Sequence, residues 1–272
     1  MRALIVGAGG TLGTLAAEGL SLRGWQVTRA ARADGDLVVD VLHDDPWAVL
    51  ARANPRSVLY LAWATRDRSE RTQAAHADAA RRWAAAAASA DVPFVFVSTT
   101  LAAVGVRSAY GRWKARAEVA VAAAAGSVAR VGLVIDDALP GLLATSIRSA
   151  TRRAPVLARG LDWPVFPVGS GDLVNAFAAA LRDPPPRLWV AEASTTSLAA
   201  VAAWPGPAPR PARWRRIGRA VAAVPVPAAV RPALIDGWAG LVSGPTNRDR
   251  EFPPPGTAIG PPGTWHAFTR PA

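Results

Sequence analysis

Tyr110-Gly111-Arg112-Trp113-Lys114 sets a phenol and an ammonium four residues apart. On a helix that spacing puts both side chains on one face, one turn from each other. A phenol beside a fixed positive charge can give and take a proton, because the charge favours the phenolate. Composition singles the pair out. Lys114 is the sole lysine among 31 basic residues, and Tyr110 is one of 2 tyrosines. Arginine has replaced lysine everywhere else, so position 114 calls for a compact ammonium rather than a planar guanidinium. Upstream of the tyrosine, Ser98-Thr99-Thr100 closes an apolar run. A hydroxyl there, Thr99 first and Ser98 as the alternate, can orient and polarise a carbonyl.

A second constellation opens the chain. Arg2-Ala3-Leu4-Ile5-Val6 reads as a buried strand and runs into Gly7-Ala8-Gly9-Gly10-Thr11-Leu12-Gly13, followed by a helical stretch. Glycines at Gly7, Gly10 and Gly13 let the backbone turn tightly and approach a pyrophosphate, while Thr11 and Leu12 open a helix whose first N–H groups point at it. The strand before and the helix after are the context that makes this spacing a dinucleotide-binding loop. The second strand ends Val27-Thr28-Arg29-Ala30-Ala31-Arg32. An NAD-preferring site carries an acidic residue there for the ribose hydroxyls. Here Arg32, ahead of Arg29, can pair with a 2′-phosphate, so NADP(H) is favoured over NAD(H). Asp40 with Val41 is expected at the adenine edge, and Leu61-Ala62-Trp63 leaves the fourth strand toward the cofactor.

The elements that position these residues alternate. Strands are expected at Arg2–Val6, Trp25–Arg29, Asp36–Asp40, Ser57–Ala62, Val92–Val97 and Ser127–Val134. Helices are expected at Thr11–Arg23, Pro46–Ala53, Arg68–Ala90 and Ser108–Ala125. Strands that are apolar runs separated by helical stretches predict an α/β fold, a Rossmann-type doubly wound parallel sheet ordered 3-2-1-4-5-6 and extendable by a seventh strand. Beyond Pro140 the rhythm loosens. Helices are expected at Asp172–Leu181 and Ser197–Ala203, a strand at Leu188–Ala191, and a linker at Pro205–Pro211, before a basic run at Arg213–Arg219 and a Pro/Gly-rich end. The expected division is a nucleotide-binding domain over 1–155 and a small, partly helical C-terminal substrate lobe over 156–272, interleaved with the sheet as one compact unit.

Composition narrows the function classes. There is no cysteine, so no disulfide, thiolate metal site or cysteine nucleophile exists. The three histidines, His43, His76 and His266, are scattered, which argues against a histidine metal centre. The net charge of +11 comes from arginines in an Ala-, Gly-, Pro- and Arg-rich chain, the mark of a GC-rich genome rather than of nucleic-acid binding. With no apolar span and no signal-peptide pattern, a cytoplasmic protein with no membrane and no nucleic-acid partner is expected. Its partner is a small-molecule carbonyl or alcohol substrate, and its assembly is open between monomer and homodimer.

The order of Gly7/Gly10/Gly13, Asp40, Leu61-Ala62, Ser98-Thr99-Thr100 and Tyr110/Lys114 resembles the short-chain dehydrogenase/reductase superfamily. The G-x-x-G-x-x-G spacing resembles its extended branch of nucleotide-sugar epimerases, dehydratases and 4-ketosugar reductases. The stretch from Asp40 to Thr65 is similar to dTDP-4-dehydrorhamnose reductase-like proteins. The resemblance covers residues 1–135 and continues as echoes at Arg130-Val131-Gly132, Asp172-Leu173-Val174 and Arg250-Glu251-Phe252. It implies hydride exchange in which Tyr110 moves the proton, Lys114 lowers the tyrosine pKa and contacts the nicotinamide ribose, and Thr99 orients the carbonyl. Three departures narrow the activity. Thr99 lies only eleven residues upstream of Tyr110, which leaves little room for a lid. Thr100 and Leu101 stand where dehydratases carry an Asp-Glu pair, and no cysteine is present for GDP-sugar epimerisation. The resemblance thus implies an NADPH-dependent ketoreductase acting on a nucleotide-activated deoxysugar or a secondary-metabolite intermediate. A redox-neutral NAD-dependent epimerase and a non-catalytic NADP sensor are its alternatives.

Overall fold

The computed structural model describes residues 1–65, 67–102, 108–136, 164–190 and 196–197. Five strands build the centre of one sheet: β1 (Arg2–Val6), β2 (Gln26–Ala31), β4 (Ser57–Tyr60), β5 (Phe94–Thr99) and β6 (Ser127–Val131). All but β2 are buried along most of their length. Two shorter strands, β3 (Leu37–Val38) and β10 (Arg187–Val190), lie at its edges. The order is β10-β6-β5-β4-β1-β2-β3, and every pairing is parallel. This is the predicted doubly wound order with a seventh strand added beside β6.

Helices cover both faces, which is why the strands are apolar on both sides. On one face α1 (Thr11–Ser21) and α5 (Ser170–Arg182) pack over Ile5, Leu59, Val95 and Val97. The approach is close: a Cβ on Gly19 of α1 would lie 2.7 Å from the Val174 methyls of α5. On the other face α2 (Pro46–Ala53), α3 (Glu70–Ser89) and α4 (Ala109–Ala123) cover Leu4, Val58, Tyr60, Phe94 and Phe96. Trp83 of α3 is fully buried there, its ring centroid 6.0 Å from that of Tyr60. Local signals fix the helix ends. Asp45 accepts the Trp47 N–H before Pro46 at the first helical position, and Asn54 closes α2 in the left-handed region with φ 41°.

Two boundaries differ from the sequence reading. The sixth strand breaks at Gly132, whose N–H donates to the Val190 carbonyl. Beyond it, β7 (Leu133–Ile135) leaves the main sheet to pair in parallel with β9 (Pro167–Gly169). The apolar run continues across the switch because both halves are buried, so hydrophobicity alone could not show it. Second, Ser197 falls in the two-residue strand β11 (Thr196–Ser197), antiparallel to β8 (Pro164–Val165), and not at the start of a helix. The rest of that expected helix, the linker, the basic run and Arg250-Glu251-Phe252 lie outside the described residues. Residues 164–190 lie against the sheet: α5 packs on α1, and β10 extends β6.

Candidate active site

In an open parallel sheet, ligands bind beyond the carboxyl ends of the strands. The loops leaving β1, β4 and β5 meet there. Gly7 takes φ +90°, a conformation only glycine adopts freely, and its N–H donates to the Ala30 carbonyl at 2.9 Å. A Cβ on Gly7 would stand 2.6 Å from the Ala62 nitrogen, and one on Gly13 would stand 2.2 Å from the Gly7 carbonyl oxygen. The glycines therefore draw the loop onto the end of β4 and pull the start of α1 under it. Gly9 and Gly10 remain exposed. Gly10 caps α1 without a side chain, so nothing from the cap covers the N–H groups of Thr11, Leu12 and Gly13. This cradle fits a dinucleotide pyrophosphate.

At the end of β2, Arg32 is exposed and close enough to Asp40 to favour its carboxylate. Arg29 is half-buried; its N–H donates to Asp36 Oδ2 at 2.8 Å, and its Nε is buried without a hydrogen-bond partner among the described residues. Asp40 lies below the usual carboxylate range, chiefly because it accepts the Leu42 N–H at 3.0 Å, with His43 Nδ1 3.0 Å from its other oxygen. Val41 is buried, and its carbonyl accepts from Arg82.

After β4, the Leu61 N–H donates to the Val6 carbonyl, and Trp63 turns its ring over the start of α4. The indole meets Tyr110 edge-on, with centroids 6.4 Å apart at 88°. Its face carries the Lys114 ammonium at 4.1 Å, and the Phe96 ring lies 4.5 Å from the same nitrogen. Lys114 is only 3% exposed and donates to the Val97 carbonyl at 2.7 Å. Burial lowers its pKa to about 7, against the opposing pull of Glu118.

Tyr110 and Lys114 thus share the first turns of one helix, but the electrostatic relation differs from the expected one. Burial pushes the Tyr110 phenol up to about 12, and the cation that opposes this is Arg68, its guanidinium carbon 5.6 Å from the ring centroid. The Lys114 ammonium is turned to the Val97 carbonyl and the Trp63 and Phe96 rings. Thr99 stands at the carboxyl end of β5, its Oγ1 accepting the Leu101 N–H at 3.2 Å. The Ser98 hydroxyl faces elsewhere: it donates to Glu118 Oε1 at 2.5 Å, inside a buried ion pair of Glu118 with Arg130.

Sequence reasoning missed four of these positions. Gln73, fully buried on α3, accepts from Trp63 Nε1 at 2.7 Å and donates to the carbonyls of Ala64 and Asp67 at 2.9 and 2.6 Å. A lone amide in an alanine-rich helix was the available signal. Glu70 ties α3 to Arg112 and Trp113 of α4. His76 stacks near Trp63, with centroids 5.8 Å apart and its Nδ1 buried without a partner among the described residues; burial, with the Lys114 charge second, lowers its pKa. Glu118, four residues beyond Lys114, completes the group. Among the described residues no cluster of side chains suits a metal ion, and no helix is long and apolar enough to cross a membrane.

No protein-family model and no curated protein matches the chain in sequence. Solved structures match by shape. The UDP-glucose 4-epimerase of Thermus thermophilus, in complex with NAD, superposes with a TM-score of 0.59 at 19% identity, over 74% of this chain and 81% of that one. The dTDP-4-dehydrorhamnose reductase of Bacillus anthracis str. Ames, in complex with NADP, gives 0.58 at 17% identity, over 72% and 76%. The UDP-N-acetylglucosamine 4-epimerase of Bacillus cereus gives 0.60 at 15%, over 74% and 79%. The chain therefore shares the Rossmann-type fold of these epimerases and reductases.

Proposed function

We propose that this protein is an NADPH-dependent ketoreductase acting on a keto group of a nucleotide-activated deoxysugar or a secondary-metabolite intermediate. The observation that carries the reading is the sole lysine, buried one helical turn from Tyr110 at the mouth of the dinucleotide fold. Burying an ammonium is costly, and a buried titratable group with a strongly lowered pKa at such a crevice marks a functional site. The glycine loop and the first N–H groups of α1 would hold the pyrophosphate, Arg32 ahead of Arg29 the 2′-phosphate, and Leu61, Ala62 and Trp63 the nicotinamide half. A bound nicotinamide would supply the hydride.

The chain's own groups manage the proton. Tyr110, pushed up to about 12, carries its proton throughout the neutral range and meets a carbonyl as a donor. Thr99 offers the second hydrogen bond to the same oxygen. Lys114 lies between the β5 end and the Trp63 face, where its protonated form would favour the phenolate left behind. A protonated resting tyrosine suits reduction better than alcohol oxidation, which needs a base at the start.

Purified protein decides between reduction and redox-neutral epimerisation. Loss of NADPH absorbance with 4-keto nucleotide sugars or polyketide-type ketones is the expected result. Protein that retains oxidised NAD through purification and interconverts sugar epimers would replace this reading with an epimerase. Stoichiometric NADPH binding with no turnover on any carbonyl would make it a sensor.

A further inference from the structure

Lys114 is held less by its own helix than by a ring, and the ring is held by an amide on another helix. The Trp63 indole has one polar atom, and that atom donates to Gln73 Oε1. The Gln73 Nε2 donates in turn to two carbonyls of the loop that carries the indole, Ala64 and Asp67. One fully buried side chain thus fixes both the ring and the backbone from which the ring hangs. The ring's face lies against the Lys114 ammonium and its edge against Tyr110. An indole free to rotate would open that face to water.

We propose that Gln73 is a positioning residue that acts through Trp63, locking the indole as the wall that holds the Lys114 ammonium dry and in place beside Tyr110. The amide is suited to the task because it accepts and donates at once; a carboxylate could not donate to the two carbonyls, and an ammonium could not accept from the indole. Cation–π contact and exclusion of water follow from ring placement and reach Lys114 without any contact from Gln73 itself. The other charged or titratable groups around the cage are Glu118 on α4, His76 on α3, and Tyr110 with Arg68 at its mouth. None of them touches the Gln73 amide in the hydrogen bonds described. The assignment rests on the reading of Lys114 as the working cation of the proposed reaction.

The sole lysine makes the test direct. Protein grown with 13C/15N-lysine gives one Cε–Nζ pair by NMR, with no chemical modification. In the unmodified chain the Cε resonance should titrate near about 7, and its protons should lie upfield under the two rings. Gln73→Met should shift the midpoint upward by about one pH unit or more, toward the ordinary lysine value, and abolish much of the upfield shift. Turnover should fall with little change in KM for the carbonyl. Trp63→Phe keeps a ring but removes its tether, and should move both signals in the same direction; it decides the matter if Gln73→Met does not fold. An unmoved midpoint and an unmoved upfield shift in a folded variant would overturn the proposal, whatever its melting temperature. Failure of the function reading looks different: the lysine signals respond as expected, but the unmodified protein turns over no carbonyl.

Discussion

The two ends of the sheet handle charge in opposite ways. Toward β3, half-buried Arg29 apart, the charges lie in water: Arg32 is exposed, and Asp78 pairs with Arg81 at 2.7 Å with both side chains more than half exposed. Toward β6, Glu118 and Arg130 form a pair whose side chains are 3% and 8% exposed, joined by the Ser98 hydroxyl, with buried Lys114 one turn away. The residue types are the same, but the energetic consequences are not. An exposed pair is screened and contributes little, whereas a buried pair is costly to assemble and far more costly to break. Arginine count in a chain this rich in arginine therefore says little, and location decides which charges matter.

That contrast can be broken most forcefully at Glu118. Glu118→Leu removes the carboxylate paired with buried Arg130 and should cost about 3–5 kcal/mol of unfolding free energy, read by denaturant melts. A loss no greater than that of a surface pair would erase the distinction between the two ends. Next comes the proposed reactive pair. Tyr110→Phe deletes one hydroxyl, so fold and cofactor binding should survive while turnover falls on the order of a hundredfold or more. Lys114→Arg keeps the charge but not the shape, and should be similarly damaging because a guanidinium does not fit between Trp63, Phe96 and the Val97 carbonyl.

Lys114 also has a pH signature. Folding lowers its pKa from 10.5 to about 7, so between those values the unfolded chain binds the proton and the folded chain does not. Stability contributed by this residue should therefore rise as pH increases through that window, and Lys114→Met should flatten the slope in melts taken across it. A weaker effect is expected at the solvated end of β2. Arg32→Asp should reduce the preference for NADPH over NADH by about ten- to a hundredfold in titrations of both cofactors. Equal loss of both would point away from Arg32. The smallest effect belongs to the exposed pair, where Arg81→Ala should change unfolding free energy by less than about 0.5 kcal/mol.

Most of the frame was legible in the residues because its signals are local. Apolar runs such as Ser57–Ala62 and Val92–Val97 read as strands, and Gly7, Gly10 and Gly13 between a strand and a helix read as a phosphate loop. The pair Tyr110/Lys114 was legible through rarity. What escaped depends on partners distant in sequence. Nothing near Gln73 announces an indole ten residues away, and nothing near Glu118 announces Arg130 across a strand. The state of Tyr110 escaped for the same reason: spacing places Lys114 one turn away but cannot show that a carbonyl and two rings take up its ammonium. Gly132 escaped because a strand that changes sheets stays apolar on both sides of the break.

The seventh strand sets an order of events during synthesis. β10 comes 56 residues after the end of β6, the strand it must cover, and Val174 must reach Gly19 from the far end of the same stretch. Until those residues leave the ribosome, at about 5–20 residues per second, β6 is a bare parallel edge and one face of the sheet lacks α5. An uncovered edge is a template for pairing with another chain. A nascent chain stopped near residue 160 would hold the glycine loop, Tyr110 and Lys114, yet would expose both the β6 edge and the Ile5, Leu59 and Val97 surface that α5 covers. The half that carries the glycine loop, Tyr110 and Lys114 is thus made before the α5 and β10 that cover it, and a chaperone that holds the chain until residue 190 has emerged would guard it through that interval.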